Sequence, residues 1–377
     1  MELFSVHPQI HFFETVRAFS EAFSLDAQDL IFTEQVIYDN YIKPMALPCQ
    51  IMIRDAYETA EPSEEAIDKM LLHLNNCTYR RMIAIGGGSV MDTAKALVID
   101  GAYPFAHLLE KTEPNTALHP LINIPTTCGT GAEISDGGIY FIKSTGLKSS
   151  VLGAGVDYAV LIPELIEKLP FRIFFLSSMD ALSHAVEAYL YSDSVVNEFG
   201  LAIAASAIRM NLECQAELCK NGPEARTALC RNFLVASCMA NLSLTAHGAN
   251  MVHAMAYPPA EKFHMAHGES VYQFLLPVLK LYDRICPEQP RFQELKAIIG
   301  GCVRKAGFTG ESDKVLSELE QMLETVMHLR TMTEVGMTAA DIAPFTQNIV
   351  ETKQRLLTKA LCQVDAAMIA EMYQERL

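Results

Sequence analysis

The residues of this 377-residue chain that are best suited to chemistry are one aspartate and three histidines in its second half. Asp180 and His184 are four positions apart, so on a helix both side chains leave the same face one turn apart. We expect His253 and His267 to come from a second helix and from the loop after it. One carboxylate with three imidazoles is a mixed oxygen and nitrogen ligand set that suits a divalent iron or zinc ion. These four residues are therefore a candidate metal site.

Each of these histidines also has a plainer interpretation. The chain contains eleven histidines, and a lone histidine in an apolar helix is more often a packed core residue than a ligand. The pairing of Asp180 with His184, together with the later histidines, favours the ligand interpretation. The pattern is moderately specific, because it lacks the tight spacing of an H-E-x-x-H motif.

A glycine-rich segment, Gly86–Ser89, is the second pattern that could bind a ligand. It follows a predicted strand, where glycines let the backbone turn sharply and approach a ligand closely. Ser89 could cap the predicted helix that follows, with Asp92 three residues further in a capping-box position. The start of that helix would attract an anion such as a pyrophosphate. Because the segment is neither G-x-G-x-x-G nor a Walker A loop, a tight turn without a ligand stays open as an alternative.

Polar side chains also follow two other predicted strands. The segment Pro125–Gly131, which contains Thr126, Thr127 and Thr130, follows the fourth predicted strand. Open α/β sheets bind ligands at the carboxyl ends of their strands. Glu34 follows the first predicted strand and could accept hydrogen bonds from the ribose of an adenosine. A carboxylate there would repel a 2′-phosphate and so favour NAD over NADP. The alternative for Glu34 is a solvated charge at the end of a strand.

The elements that must position these residues divide the chain into two halves. Residues 1–172 alternate short apolar runs with amphipathic segments, which is typical of an α/β domain with a Rossmann-like parallel sheet. The predicted strands are Asp29–Thr33, Gln50–Ile53, Met82–Ile85, Leu121–Ile124 and Tyr158–Ile162, and the predicted helices are Ser63–Leu74 and Ser89–Ile99. We expect this half to form the first domain of the chain.

The pattern over residues 173–377 predicts a mostly α-helical domain that would hold the metal and carry out catalysis. Long helical patterns there are separated by proline and glycine, with Pro258 among the expected breaks. The predicted helices are Ser178–Tyr191, Glu198–Leu218, Pro223–Leu242, Phe292–Lys305, Asp313–His328 and Ala340–Leu361.

The acidic character of the chain argues against nucleic acids and anionic membranes as partners. It has 29 Lys and Arg against 45 Asp and Glu, which gives a net charge of −16. Nucleic-acid binders normally present a basic face. The most apolar segment, Val151–Ile166, is broken by Asp157, Pro163 and Glu164, so it is too short and too polar to span a bilayer.

The cysteines and the N-terminal segment predict a cytoplasmic protein. The ten cysteines are scattered and contain no C-x-x-C pair. In a chain of this size, scattered cysteines are more often thiols in a reducing cytosol than a disulfide framework. The N-terminal segment has no basic start and no long apolar run, so we expect no signal peptide.

Taken together, these motifs resemble those of the iron-dependent (group III) alcohol dehydrogenases. Their order and spacing run through most of the chain, which makes the resemblance more specific than any one motif. The residues that carry it are Gly86-Gly-Gly-Ser-x-x-Asp92-x-x-Lys95, Pro125-Thr-Thr-x-Gly-Thr-Gly131, Asp180-Ala-Leu-x-His184-Ala-x-Glu187-Ala-Tyr189, His253 and His267-Gly268.

The resemblance implies both a fold and a site. An N-terminal dinucleotide-binding α/β domain would be followed by a helical domain, with the active site between them. The metal ligands, for Fe²⁺ with Zn²⁺ as the alternative, would be Asp180, His184, His253 and His267. The residues assigned to NAD are Glu34, Gly86, Gly87, Gly88, Ser89, Asp92, Thr126, Thr127, Thr130 and Lys148. For Lys148, which matches a lysine that recurs in the family, exposed surface is the alternative.

Within the family, the chain is most similar to the members that act on 4-hydroxybutyrate. Tyr257 stands where many members have a histidine, and His264 matches the same subgroup. The resemblance therefore implies reversible, NAD-dependent oxidation of a primary alcohol, 4-hydroxybutyrate, to succinate semialdehyde. The metal would lower the pKa of the alcohol hydroxyl. Tyr257 and His264 are the predicted catalytic residues, with an aromatic wall as the alternative for Tyr257 and His247 as another possible proton carrier.

Two other functions stay open. A zinc-dependent glycerol or diol dehydrogenase, or a broad-range alcohol dehydrogenase, could use the same scaffold. A catalytically silent dinucleotide-binding protein is the second alternative, because Thr245–Asn250 and Ala260–Glu261 depart from the family pattern near the expected substrate pocket. We expect a small-molecule alcohol or aldehyde as the partner, and a homodimer as the assembly.

Overall fold

The structure is a computed structural model that describes residues 4–58, 62–111, 115–143, 147–192 and 197–377. These residues form two compact units, Ser5–Leu169 and Pro170–Leu377, the latter together with Phe4. A helix begins at Phe171, directly after Pro170. The domain boundary predicted after residue 172 therefore falls in the first turn of that helix.

The first unit is an α/β domain built on a six-stranded sheet. Its strands are β1 Gln9–Phe12, β2 Asp29–Thr33, β3 Gln50–Ile53, β4 Arg81–Gly86, β5 Leu121–Pro125, β6 Gly137–Ile142, β7 Leu147–Leu152 and β8 Tyr158–Leu161. The sheet has the order β1-β8-β5-β4-β2-β3, and all its strand pairs are parallel. Strands β6 and β7 form a separate antiparallel hairpin.

Helices of the same unit connect and cover these strands. They are α1 Val16–Ala22, α2 Gln35–Ile37, α3 Glu64–Leu74, α4 Gly88–Leu97, α5 Ala106–Leu109 and α6 Glu164–Glu167, with short 3-10 or π turns at Tyr38–Ile42, Lys43–Met45 and Arg54–Ala56. Successive side chains of a strand point to opposite faces of a sheet. Phe32 of β2 belongs to the same apolar cluster as Met70 of α3, whereas Ile31 belongs to a second cluster with Val16 of α1. The central strands are therefore apolar on both faces, as a covered parallel sheet requires.

The strand order reverses between β2 and β4. From β2 the chain moves outward to β3, then returns to place β4 on the other side of β2. Because the strands are parallel, the carboxyl ends of β2, β4 and β5 lie next to one another at one edge of the sheet. Glu34, Gly87 and Thr126 directly follow these three ends. Open α/β sheets bind ligands at such a reversal point.

The sequence predicted the buried strands better than the exposed ones. All five predicted strands are present, each within one residue at either end. Strand β1 and the hairpin β6–β7 were not predicted. Residues of β1 are half-buried or exposed, and β6 alternates buried with more exposed positions. Neither has the continuous apolar run that reveals a strand covered on both faces.

The second unit is helical. Its helices are α7 Phe171–Tyr189, α8 Glu198–Asn221, α9 Cys230–His247, α10 Met251–Phe263, α11 His267–Ile285, α12 Pro290–Lys305, α13 Val315–Val326, α14 Met332–Val335, α15 Ala339–Thr352, α16 Gln354–Leu357 and α17 Ala366–Glu375, with a 3-10 segment at Pro223–Leu229. The helix predicted to start at Pro223 therefore begins as this 3-10 segment. The helix predicted over Ala340–Leu361 is divided at Lys353.

The sequence also predicts a helix break at Pro258 and a loop at His267, and both predictions are wrong. Pro258 and Pro259 lie inside α10, and His267 is the first residue of α11. Pro259 has no N–H to donate to the carbonyl of Met255, four residues before it. The hydroxyl of Tyr373 donates to that carbonyl instead, at 2.7 Å. A hydrogen bond from a distant helix thus satisfies the carbonyl of α10 that Pro259 cannot.

Two further expectations concern membranes and disulfides. Within the part of the chain that the structure describes, we find no helix that combines the length and the apolar character needed to cross a bilayer. All ten cysteines lie in the described part of the chain, none of them is in a disulfide, and most of them are buried. The scattered cysteine spacing indicated the same absence of a disulfide framework.

Candidate metal and cofactor sites

Helix α7 presents three polar side chains on one buried face. Asp180, His184 and Glu187 follow one another at spacings of four and three residues, which places them on the same side of an α-helix. Every residue of α7 from Ser178 to Tyr189 is buried. The polar groups of this face must therefore find their partners inside the protein.

The histidines of two other helices complete a cluster around Asp180. His253 comes from α10 and His267 from α11, and the ligand atoms of the four residues all lie within 4.8 Å of one another. The Oδ1 atom of Asp180 is 3.7 Å from Nε2 of His184 and 3.4 Å from Nε2 of His267. The rings of His184 and His253 are stacked with their centres 4.9 Å apart. The fold thus brings all four predicted metal ligands together.

The start of α11 packs closely against α7 at Gly268. A Cβ atom at Gly268 would lie 2.3 Å from the carbonyl oxygen of Leu176 and 3.4 Å from Cβ of Asp180. Any side chain at this position would push the two helices apart. Because His267 directly precedes Gly268, the close approach places its imidazole beside Asp180.

Glu187 fixes the orientation of His253. One oxygen of its carboxylate contacts Nδ1 of His253. The other accepts hydrogen bonds from the backbone N–H groups of Val252, at 2.6 Å, and His253, at 3.2 Å. With Nδ1 engaged, Nε2 is the nitrogen that His253 has left for the cluster. Histidines that bind metals usually have a carboxylate or carbonyl partner of this kind.

The cluster fits a divalent cation. Among the described residues, Oδ1 of Asp180 and Nε2 of His253 are buried and take part in no hydrogen bond. An unpaired buried polar atom costs about 1–3 kcal/mol, which coordination to a cation would offset. Burial raises the pKa of Asp180, but His184, His267 and His253 outweigh this effect and lower it, so the carboxylate is ionised. One carboxylate with three imidazoles suits both Fe²⁺ and Zn²⁺.

The two predicted catalytic residues lie in different surroundings. The ring of Tyr257, one turn after His253 on α10, has its centre 6.4 Å from the ring centre of His253 and 6.3 Å from that of His267. Burial raises the pKa of the Tyr257 hydroxyl to about 12, so the hydroxyl is protonated at neutral pH. His264 ends α10 in a left-handed conformation, with φ 49°, and its side chain is exposed.

His247, the other possible proton carrier, has a structural partner. It is buried at the end of α9, and its Nε2 accepts a hydrogen bond from the backbone N–H of Asn197 at 3.2 Å. Its ring packs against that of Tyr191, with the centres 5.4 Å apart. Burial lowers its pKa, which favours the neutral ring that can accept the bond. His247 therefore holds the start of α8.

The glycine-rich segment forms the turn from β4 into α4. Gly87 precedes the helix, and its backbone is extended, with φ −73° and ψ −177°. The nearest protein atom to a Cβ at Gly87 would be Cγ2 of Thr127, 4.0 Å away. A Cβ at Gly86 would instead lie 2.4 Å from Val90, so that glycine is required by packing. Gly87 therefore has free space beside it, next to the N-terminus of α4.

The predicted capping box of Ser89 and Asp92 is wrong. Helix α4 starts at Gly88, so Ser89 is its second residue and makes no capping hydrogen bond. The carboxylate of Asp92 forms an ion pair with Lys95, at 3.0 Å, and accepts the backbone N–H of Ile139 at 3.1 Å. Asp92 therefore ties α4 to the hairpin strand β6.

The threonine loop lies beside the glycine turn. The backbone N–H of Thr126 donates to the carbonyl of Gly86 at 3.0 Å. The side chain of Thr130 would lie 3.1 Å from a Cβ at Gly88. The threonine loop and the glycine turn therefore lie against each other at the carboxyl ends of β5 and β4.

Two cofactor candidates remain, Glu34 and Lys148, and the structure describes the side chain of only the first. Glu34 follows β2 and is half-buried, 3.5 Å from the guanidinium of Arg54. Burial raises the pKa of Glu34, although the charge of Arg54 opposes this. Glu34 is thus at the strand end where a ribose contact is expected. The side chain of Lys148, in β7, lies outside the described part of the chain.

Comparison with known proteins identifies the family. The model of the Fe-containing alcohol dehydrogenase family, C-terminal, matches residues 174–377, and that of iron-containing alcohol dehydrogenase matches residues 16–163. The chain belongs to the iron-containing alcohol dehydrogenase family. It is therefore an enzyme of this family, and the resemblance seen in its motifs is confirmed.

Two relatives are similar to this enzyme over most of its length. It is 28% identical over 359 residues to 4-hydroxybutyrate dehydrogenase from Clostridium kluyveri, with 95% of each chain covered. It is 31% identical over 281 residues to the probable alcohol dehydrogenase EutG from Escherichia coli, a match that covers 72% of this chain and 66% of that protein.

Solved structures show the same fold. Sulfoacetaldehyde reductase from Bifidobacterium kashiwanohense, determined in complex with NAD⁺, has a TM-score of 0.80 at 18% identity, covering 99% of this chain and 98% of that one. An alcohol dehydrogenase from Oenococcus oeni has a TM-score of 0.80 at 20% identity, covering 99% of this chain and 100% of that one. The predicted combination of a Rossmann-like parallel sheet with a helical C-terminal domain is confirmed.

One supporting residue of the iron-containing alcohol dehydrogenase site was not predicted. Glu187 was part of the family motif, but no role was assigned to it. A signal for its role was present, because Glu187 lies three residues after His184 on the same helix face. Its partner His253, however, is 66 residues away, and only the tertiary structure pairs them.

Proposed function

We propose that this enzyme catalyses the reversible, NAD-dependent oxidation of a primary alcohol to an aldehyde, with 4-hydroxybutyrate and succinate semialdehyde as the pair. The observation that carries the reaction is the convergence of Asp180, His184, His253 and His267 in an iron-containing alcohol dehydrogenase. The substrate is supported by the similarity to the Clostridium kluyveri 4-hydroxybutyrate dehydrogenase over 95% of both chains.

The metal of this proposal is Fe²⁺, with Zn²⁺ as the alternative. Its ligands would be Asp180, His184, His253 and His267. When bound, the ion supplies a Lewis acid that lowers the pKa of the substrate hydroxyl. The chain contributes a buried carboxylate and, through Glu187, a fixed orientation of one imidazole.

The NAD site of this proposal lies at the edge of the sheet. The space beside Gly87, in front of α4, would take the pyrophosphate, whose charge suits the N-terminus of a helix. Glu34 would accept hydrogen bonds from the adenosine ribose and disfavour a 2′-phosphate. The further cofactor residues of the proposal are Gly86, Gly88, Ser89, Asp92, Thr126, Thr127, Thr130 and Lys148.

Tyr257 and His264 would act on the substrate side. The protonated Tyr257 hydroxyl could donate a hydrogen bond to a substrate oxygen, because its ring lies against two of the ligand histidines. The exposed His264 could exchange a proton with solvent. We also expect a homodimer and a cytoplasmic location, the latter because the cysteines are scattered and form no disulfide.

A substrate panel with defined metal content tests the proposed function. The enzyme would be stripped of metal, reconstituted with Fe²⁺ or Zn²⁺ without oxygen, and assayed for NADH formation with 4-hydroxybutyrate, butanol and propanediol. We expect kcat/KM to be highest for 4-hydroxybutyrate by at least about tenfold, the discrimination that a paired polar group gives. A preference for propanediol with Zn²⁺ would instead identify a diol dehydrogenase. NAD binding without turnover of any alcohol would identify a catalytically silent protein.

A further inference from the structure

The ammonium group of a lysine lies against the face of Tyr257. The Nζ atom of Lys353 is 5.1 Å from the centre of the Tyr257 ring, within the range of a cation–π contact. Lys353 is half-buried at the junction of α15 and α16, and both helices pack against α10, which carries Tyr257. The junction has a defined backbone, because the N–H of Lys353 donates to Ile349 and its carbonyl accepts from Leu356.

This position places a positive charge close to the four side chains of the candidate metal site. The ring centre of Tyr257 is 6.3 Å from that of His267. The amine of Lys353 is therefore at most about 11 Å from the imidazole of His267.

Among the described residues, the ammonium of Lys353 contacts an aromatic ring but has no carboxylate partner. Three cations around α10 and α11 have carboxylate partners: Lys262 binds Asp341, and Arg172 and Arg330 both bind Glu269. Among the described residues, Lys353 forms no ion pair with a carboxylate. A half-buried ammonium near a reaction centre, held by an aromatic ring instead of an anion, is suited to an anionic ligand.

We propose that Lys353 binds the carboxylate of an ω-hydroxy acid substrate and so selects that class over simple primary alcohols. This inference rests on the proposed function, whose substrate carries a carboxylate at the end opposite its hydroxyl. Tyr257 then has a second role, because its ring positions the lysine that holds the substrate.

The length of the substrate agrees with this assignment. An extended four-carbon hydroxy acid spans roughly 6 Å from its hydroxyl oxygen to its far carboxylate oxygen, by standard bond lengths. A charge-assisted hydrogen bond to the ammonium adds about 2.8 Å. Together these lengths come to about 9 Å, which is comparable with the separation between Lys353 and the imidazole of His267, at most about 11 Å.

The test compares a substrate that has the carboxylate with one that lacks it. We would measure KM and kcat of the holoenzyme for 4-hydroxybutyrate and for butanol in the wild type, Lys353→Met, Lys353→Arg and Lys359→Met. Lys359 is a matched control, because it is also half-buried and its Nζ lies 5.3 Å from the ring centre of another tyrosine, Tyr191.

We expect Lys353→Met to raise KM for 4-hydroxybutyrate roughly 10- to 100-fold, the usual effect of losing a hydrogen bond to a charged group. The kinetics with butanol should stay unchanged, Lys353→Arg should recover most of the loss, and Lys359→Met should behave as the wild type. The charge reversal Lys353→Glu should improve kcat/KM for 4-aminobutanol, a gain that misfolding does not produce.

The outcomes separate this inference from the proposed function. If the wild type prefers 4-hydroxybutyrate but Lys353→Met keeps its KM, or loses activity equally with both alcohols, the assignment of Lys353 is wrong and the proposed function stands. If the wild type shows no preference for 4-hydroxybutyrate over butanol, the proposed substrate is wrong and the assignment of Lys353 is overturned with it.

Discussion

The carboxylate of Glu187 contacts His253 at two points, the ring nitrogen Nδ1 and the backbone N–H. The two residues are 66 positions apart and belong to α7 and α10. Because both contacts come from one side chain, Glu187 sets the tautomer of His253 and the place where α10 begins.

We predict that Glu187→Gln weakens metal binding by about 10- to 100-fold, the usual effect of removing such a supporting carboxylate. An amide is a poorer acceptor for Nδ1–H, so the orientation of His253 is held less firmly. Competition with a coloured chelator measures the affinity. The matched control is Glu318→Gln, because Glu318 also accepts backbone N–H bonds, from Thr309 and Gly310. Equal metal affinities in the two variants would contradict the role of Glu187.

Gly268 offers a second way to disturb the cluster without changing a ligand. Gly268→Ala places a methyl group 2.3 Å from the carbonyl oxygen of Leu176, so α11 must move away from α7 and carry His267 with it. We expect a metal content well below one per chain and a lower melting temperature. Gly301→Ala, a control in α12, meets nothing closer than 4.0 Å and should be neutral or slightly stabilising. Full metal content in Gly268→Ala would show that the close packing is not needed.

Gly87→Val tests the cofactor site separately from the metal. The extended backbone and the free space at Gly87 can accept a side chain, so the melting temperature should change little. A bound pyrophosphate would occupy that space, and we expect NAD affinity to fall by about 100-fold or more. Titration followed by NADH fluorescence gives the affinity. Gly86→Ala, which meets Val90 at 2.4 Å, should destabilise the fold instead. An unchanged affinity in Gly87→Val would place NAD elsewhere.

The buried Glu133 makes stability depend on pH in an unusual direction. Burial raises its pKa from 4.5 to about 7, more than a backbone hydrogen bond and the charge of Lys95 lower it. Between these two values the folded protein keeps a proton that the unfolded chain releases, so the free energy of unfolding falls as pH rises. Glu133→Gln stays neutral and escapes this loss. The variant should be more stable than the wild type by up to about 3 kcal/mol above pH 7 and similar below pH 4.

Urea unfolding across this pH range measures the effect, and Glu318→Gln provides the opposite sign. A hydrogen bond from the hydroxyl of Thr309, with backbone N–H groups, lowers the pKa of Glu318 despite some desolvation. Its ionised form therefore stabilises the fold at neutral pH, and this contribution is lost as pH falls through the lowered pKa. Parallel pH profiles for the two variants would contradict the difference between their surroundings.

The sequence by itself determined what depends on local spacing. Asp180 and His184 share a face because they are one helical turn apart, and the glycines after β4 mark a turn because the chain must reverse there. The buried strands were predictable since a covered sheet needs continuous apolar runs. The motifs also indicated the family, and the resemblance to that family singled out His253 and His267 among the eleven histidines.

The tertiary structure decided what depends on contacts between distant segments. Pro259 should break α10 by its local chemistry, but the hydroxyl of Tyr373 satisfies the carbonyl that it leaves unpaired. The partner of His253 and the cation beside Tyr257 come from 66 and 96 residues away. Local periodicity encodes the direction of a side chain along its own helix, whereas packing selects which other side chain it meets. For that reason the sequence predicted which four residues could hold a metal, and only the fold showed what orients His253 and which charge lies beside Tyr257.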